Sequence, residues 1–303
     1  MTSITRRTVL TAAAGAAAGA SLSSPAWAGP GKPSAPTHRA GPLARRLADL
    51  ERRHDVRIGL YAKALPHGRE ISWRADERFL MLSVFKSYAA AAVADGRLIT
   101  PDRHVLQRRV HLPPAAVVEG PTWFADHIAA GYAPTVAEVC AATVQLSDST
   151  AGNHLMSMMG GTAALNRFAR ACGDTATRLT EWEPELNRPG SDNNTSPRGV
   201  GTGFARMLTG SVLGRSARRH ITTWMLGNTT SDARFRAGLP KGWTLADKTG
   251  SGEDASANDV GVAFSPDGDA YLLSMLTTSS RPDTEREQSI FADVARWSLE
   301  VLR

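Results

Sequence analysis

Leu82-Ser83-Val84-Phe85-Lys86 runs directly into Ser87-Tyr88-Ala89-Ala90-Ala91-Ala92-Val93-Ala94, and the reading of this stretch decides the rest. Alanine is the strongest helix former and serine is favoured at a helix start, so a helix is expected to begin near Ser83. With Ser83 in the first turn, Lys86 follows at i+3, one turn along on the same face. An amine then lies within reach of a hydroxyl whose own peptide N–H points out from the positive helix end. Four consecutive residues supply a nucleophile, a proton acceptor and one oxyanion donor. The plainer alternative is a serine that only caps a helix. Lysine usage sharpens the choice. Only five of the 35 Lys+Arg residues are lysines (Lys32, Lys63, Lys86, Lys241, Lys248), and only Lys86 follows a serine by three. Lysine can lose its proton where arginine cannot.

The chain has 303 residues, enough for one or two domains, with 42% hydrophobic and 21% charged residues, as in an ordinary globular protein. Its net charge of +6 falls to near +4 if a leader carrying Arg6 and Arg7 is removed. Basic residues are interleaved with acids, as in Arg45-Arg46-Leu47-Ala48-Asp49, and form no stripe with aromatics, which argues against a nucleic-acid partner.

Residues 1–28 read as a targeting segment. Thr5-Arg6-Arg7-Thr8-Val9-Leu10 precedes a small-residue apolar run ending at Ala26-Trp27-Ala28, similar to a twin-arginine export signal with its cleavage site. Export to the periplasm, the cell-wall space or the medium is expected. The run is short and rich in Gly and Ala, and no cysteine lies near the cut, so no membrane anchor is expected in the mature chain. The twin-arginine route carries folded proteins from a reducing cytoplasm, so Cys140 and Cys172, both in apolar helical context, are expected to be buried free thiols. The eight histidines show no metal-binding spacing, so no metal is expected.

Residues 29–42 are a Pro/Gly/Ser-rich linker, and Leu43 to Arg53 reads as an amphipathic helix. Arg57 to Ala62 and Glu70 to Trp73 read as a strand hairpin. From Ser83 to about Leu226 the pattern is mainly helical. Trp243 to Leu245, Asp259 to Ser265 and Ala270 to Leu276 are strand-like, with Pro266-Asp267-Gly268-Asp269 a hairpin turn, and Thr284 to Leu302 closes as a helix. Strands at both ends flanking a helical middle predict an α/β domain, residues 44–74 and 227–303, interrupted by an all-α domain, residues 75–226.

Three further stretches carry polar chemistry. Ser147-Asp148-Ser149 reads by itself as a helix cap, and Glu183-Pro184-Glu185-Leu186-Asn187 as part of a surface loop. Lys248-Thr249-Gly250-Ser251-Gly252 reads as a strand end and turn following Trp243–Asp247.

Together with Ser83-Val84-Phe85-Lys86, these stretches occur in the order found in class A serine β-lactamases, which the chain resembles from about residue 44 to its end. Trp224 to Thr230, Arg236-Ala237-Gly238-Leu239-Pro240 and Asn258-Asp259-Val260 agree. The resemblance implies an antiparallel sheet flanked by helices, with an Ω-loop at about residues 178–197. It implies a monomer without cofactor that hydrolyses the β-lactam amide of penicillins or cephalosporins, giving antibiotic resistance. Ser83 would attack the β-lactam carbonyl, with Lys86 and Glu183 the alternative bases for acylation. The N–H groups of Ser83 and Ser251 would form the oxyanion hole, and Ser147, beside Lys248, would protonate the departing nitrogen. Glu183 with Asn187 would hold the deacylating water. Lys248, Thr249, Gly250 and Ser251 would bind the substrate carboxylate, with Arg234 where some members carry an extra arginine.

Departures from the family pattern are equally specific. Ser149 stands where most members have Asn. Glu181 replaces the arginine that usually opens the Ω-loop, and its usual Asp partner is Asn193, so the ion pair is lost and a more mobile loop is expected. Leu112 falls in the region of a gatekeeper aromatic. Two other readings remain from sequence: a penicillin-binding or D,D-peptidase-like acyl-enzyme, and a catalytically weak β-lactam-binding protein. Glu183 and Asn187 weigh against the first, Glu183 and Lys248 against the second.

Overall fold

The computed structural model describes residues 41–96, 104–252, 254–279 and 288–303. The expected leader, nearly all of the linker and the start of the last helix (284–287) lie outside the described residues.

Helix α1 (Pro42–His54) opens the described chain, followed by the hairpin β1 (Val56–Ala64) and β2 (Glu70–Trp73). A two-residue strand, β3 (Phe79–Leu80), and a 3-10 turn (Leu82–Val84) lead into α2 (Phe85–Asp95). Then come α3 (Trp123–Ala129), α4 (Val136–Gln145), α5 (Ser149–Met159), α6 (Gly161–Ala171), β4 (Asn194–Thr195), α7 (Pro197–Thr209) and α8 (Arg215–Leu226). The chain returns through β5 (Thr244–Ser251), β6 (Ala257–Phe264) and β7 (Ala270–Ser279) to α9 (Ser289–Leu302).

One five-stranded antiparallel sheet has the order β2-β1-β7-β6-β5, so the two ends of the chain meet where β1 pairs with β7, from Val56 opposite Ser279 to Ala64 opposite Tyr271. Side-chain alternation sends Ile58, Leu60, Ala62 and Ala64 of β1 to one face, where α1 and α9 cover them with Leu47, Leu50, Phe291 and Leu299. Burying Leu47 and Leu50, 1% and 2% exposed, contributes about 3–6 kcal/mol of the docking of α1. Helix α7 packs on β1, β6 and β7, and α8 on β5.

The second core is built around α2. Every residue from Phe85 to Val93 is buried, so the helix shows no polar face and crosses the interior. It packs against α4, α5, α6 and α8, and its four successive alanines allow these close approaches. Cys140 and Cys172 belong to this core, both buried and unbridged.

Three features differ from the sequence reading. Strand β5 continues to Ser251 rather than ending at Asp247, because Asp247, Lys248 and Thr249 are buried among polar partners instead of facing solvent. Strands β3 and β4, too short for any periodic signal, pair Phe79 with Thr195 and Leu80 with Asn194, tying the exit of the Ω-loop to the segment before Ser83. Leu112 packs against the helical core and does not line the cleft described below.

Candidate active site

Ser83 lies in the 3-10 turn that feeds α2, and neither the turn nor the helix start has a side-chain cap. The capping explanation of Ser83 therefore fails. Leu82, just before it, holds φ 49°, a left-handed backbone that typically costs about 1–3 kcal/mol in a bulky residue. The surroundings hold that conformation. Asn258 Nδ2 donates to the carbonyls of Leu80 at 2.8 Å and Met81 at 3.1 Å. From the other side β5 passes so close that a Cβ on Gly250 would sit 2.7 Å from Leu82 Cβ and 3.3 Å from the Ser83 nitrogen. No larger residue fits there.

Lys86 follows in the first turn of α2, fully buried. Its Nζ lies 3.0 Å from Ser83 Oγ, 2.9 Å from Glu183 Oε1, 2.8 Å from the Ser147 carbonyl and 3.2 Å from Ser149 Oγ. The lysine stem fits because α5 carries Gly152 alongside, where a Cβ would approach Lys86 Cε to 3.0 Å. A buried ion pair of this kind is tolerated when hydrogen bonds satisfy the remaining polar atoms, and these contacts do so.

The cap reading of Ser147-Asp148-Ser149 holds for the middle residue alone. Asp148 caps α5, accepting from Ala151 N and Phe124 N at 2.8 Å each, and burial raises its pKa. Ser147, at φ 60°, is turned into the site. Lys248 Nζ donates to Ser147 Oγ at 3.0 Å and to the Thr249 carbonyl at 2.8 Å. Burial, and then the charge of Lys86, hold the Lys248 ammonium well below its ordinary pKa. Ser147 thus bridges two buried amines.

Glu183 is 3% exposed, unlike the solvated loop carboxylate that its sequence context suggests. Ser83 Oγ lies 3.4 Å from its Oε1, and Asn187 Nδ2 donates to its Oε2. Asn153 of α5 holds its backbone from below, donating to the Glu183 carbonyl at 2.9 Å and accepting from its N–H at 3.1 Å. Opposite, Arg234 is buried and bonds the carbonyls of Gly250 and Asn258 at 2.8 and 2.6 Å and Ser251 Oγ at 2.8 Å.

All eleven residues singled out in the sequence converge here. Ser83, Ser147, Ser149, Glu183, Asn187, Arg234, Thr249, Gly250 and Ser251 line one cleft of about 500 Å³, and Lys86 and Lys248 lie beneath it. The structure adds residues to which sequence reading gave no role. Thr230 lines the wall and hydrogen-bonds Thr249, while Asn153 and Asn258 position Glu183 and the Ser83 turn. Glu119, Gly120 and Pro121 form the rim facing Ser149. Nothing in their local sequence patterns marked these residues out for such roles.

The arrangement can activate a hydroxyl, bind an anion and return a proton within one cleft. The model of the Beta-lactamase enzyme family matches residues 42–301. A β-lactamase of Streptomyces fradiae is 43% identical over 306 residues, covering 98% of this chain and 96% of that protein. The chain belongs to the β-lactamase enzyme family. Among solved structures it is similar to the β-lactamase from Streptomyces albus G, with a TM-score of 0.79 at 40% identity, covering 87% of this chain and 100% of that one. A β-lactamase from Streptosporangium roseum matches with a TM-score of 0.81 at 33% identity, covering 86% and 98%.

Two departures of this β-lactamase-family chain take a definite form. The rim beside Ser149 is Gly120, not Leu112, and a Cβ there would lie 3.0 Å from Ser149 Oγ. At the neck of the Ω-loop Glu181 and Asn193 lack opposite charges, yet Asn193 Nδ2 donates to the Glu181 carboxylate. The usual ion pair is replaced by this neutral-donor hydrogen bond, the amide standing where the usual cation would have donated.

Proposed function

We propose that this chain is a class A serine β-lactamase with Ser83 as its nucleophile. Ser83 Oγ bonds to the β-lactam carbonyl carbon while its proton passes to the Lys86–Glu183 pair. The ring C–N bond breaks, and the nitrogen takes a proton from the Ser147 hydroxyl, which Lys86 and Lys248 re-supply. Lys248, Arg234, Thr249 and Ser251 gather donors and positive charge on one wall, suited to the carboxylate that penicillins and cephalosporins carry. Glu183, oriented by Asn187, then takes the proton of the water that attacks the ester. Such general-base assistance is typically worth about 10²–10⁴-fold.

The observation that carries this reading is the buried Glu183 carboxylate, 2.9 Å from Lys86 Nζ and 3.4 Å from Ser83 Oγ. A cell-wall acyl-enzyme gains nothing from a base placed to hydrolyse its own intermediate. Nitrocefin hydrolysis by residues 29–303 tests it. Turnover by that chain, and its loss in Ser83→Ala, is expected; a Ser83→Ala variant that retains turnover overturns the assignment of the nucleophile.

A further inference from the structure

Opposite charges are interleaved along most of this chain, but not on four of its helices. Helices α5, α6, α7 and α8 contain no Asp or Glu. Elsewhere helical arginines find partners on their own helix, Arg52 and Arg53 with Asp49 and Arg296 with Asp293. Among the described residues only Arg198, at the start of α7, is in an ion pair on these four helices, with Glu70 and Asp76. The other arginines gather where α6 packs on α7 and α7 on α8. Arg206, in the last turn of α7, lies across Gly173 just beyond α6, and Arg218 of α8 donates to the Gly210 carbonyl just beyond α7. Arg167 and Arg170 of α6 and Arg215 and Arg219 of α8 are exposed beside them. Of the acids next to this face, Asp174 is fully buried and Asp95 accepts from Gly214 N at 3.0 Å. Six arginines that form no stripe in the sequence form one face in the fold.

We propose that this face docks a flexible polyanion carrying repeated phosphate groups. Folding does not account for the charges. Arg215, Arg218 and Arg219 occupy the first turns of α8, where Gly214 provides no side-chain cap and the positive end of the helix dipole disfavours cations. Arg170 donates to the carbonyls of Asp174 at 2.6 Å and Thr177 at 2.7 Å, and Arg218 to that of Gly210. These contacts hold the guanidinium groups without neutralising them. A planar guanidinium fork matches two oxygens of a phosphate. Charges spread over three helices suit a chain of many anionic groups that bends to follow them, rather than one small anion. Of the exposed large hydrophobic residues only Leu226 belongs to these helices, at the far end of α8. No such side chain stands beside the arginines to enter a lipid layer or stack on bases. None of the six lines the cleft, so docking leaves Ser83 free to react.

The test is fluorescence anisotropy of labelled long-chain inorganic polyphosphate titrated with the full chain at several salt concentrations. Each arginine–phosphate contact releases counterions, so log Kd rises with log salt by about 0.7–0.9 per contact. The wild-type chain should bind at low salt. Arg206→Gln/Arg215→Gln/Arg219→Gln should weaken binding about tenfold or more and lower that slope by about two. A control with the same loss of charge on α1, Arg46→Gln/Arg52→Gln/Arg53→Gln, should stay within about threefold of wild type. No binding at low salt, or equal weakening in the control, overturns the proposal. So does tighter binding of phosphatidylglycerol vesicles or of single-stranded DNA than of polyphosphate. If the triple variant unfolds at a lower temperature than wild type, the three single variants decide. Each should lower the slope by about one, and unchanged slopes overturn the proposal. Nitrocefin turnover is read separately, so its absence counts against the serine β-lactamase reading and not against the docking face.

Discussion

Replacing Ser149 with asparagine probes the side of the cleft that faces the substrate's acylamino group. Ser149 Oγ now accepts from Lys86 Nζ at 3.2 Å, and its short hydroxyl stops there. An asparagine Oδ1 can take over that contact while its Nδ2 reaches further into the cleft and donates to the side-chain carbonyl of a penicillin. Room exists because Gly120 has no side chain where its Cβ would come within 3.0 Å of Ser149 Oγ. A neutral hydrogen bond is worth about 0.5–1.5 kcal/mol net, so kcat/KM should rise about 2- to 12-fold. The assay compares benzylpenicillin, ampicillin and a cephalosporin with 6-aminopenicillanic acid, which lacks the acyl carbonyl and should gain nothing. Adding Gly120→Ala to Ser149→Asn should remove the gain, because the methyl fills the space and Gly120 holds φ 138°. An unchanged or lower kcat/KM across the acylated substrates, or an equal gain for 6-aminopenicillanic acid, refutes this view of the wall.

Two further predictions concern buried charge. Lys248 binds an anion only while protonated, and its pKa is lowered, so KM for carboxylate-bearing β-lactams should rise with pH, beginning well below the ordinary lysine value of 10.5. Lys248→Arg, whose charge persists, should shift that limb upward in a pH–KM profile; an identical limb refutes the assignment. Behind β5, burial raises the pKa of both Asp247 and Asp259, and the neighbouring Asp247 pushes Asp259 further. Asp247 also accepts from Arg236 at 3.0 Å and Asn228 at 2.9 Å. Asp259→Asn should therefore cost no more than about 1 kcal/mol, while Asp247→Asn, which removes the counter-charge of Arg236, should cost about 3 kcal/mol in denaturant unfolding; the reverse order refutes it.

The site was more legible in the sequence than its surroundings. Ser83 and Lys86 stood out locally as a serine–lysine pair opening an alanine-rich helix. Ser147, Glu183 and Lys248 read locally as a cap, a surface loop and a turn, and only their order together with Ser83–Lys86, shared with the β-lactamase family, singled them out. The sheet was legible from alternation in β1, β6 and β7. Strand β5 was cut short because Asp247-Lys248-Thr249 look like solvent-facing residues, and their burial depends on Arg236, Ser147 and Thr230, which are distant in sequence. The same reason hid the roles of Asn153 in α5 and Asn258 in β6: an asparagine carries no signal of its own until the carbonyls and N–H groups it meets are brought to it. Leu112 was misplaced because the segment before α3 lacks a periodic pattern to fix its alignment, and Gly120 took the rim instead.

The central claim is that Glu183 is the base that releases the acyl-enzyme. Intact-protein mass spectrometry of Glu183→Ala mixed with benzylpenicillin tests it most directly. With the carboxylate gone, Ser83 should still react, and deacylation should slow by about 10²–10⁴-fold, so the protein should carry one intact penicilloyl mass that persists for many wild-type turnovers. Ser83→Ala should carry none. If Glu183→Ala turns over at the wild-type rate with no accumulated adduct, Glu183 is not the deacylation base and the account is contradicted.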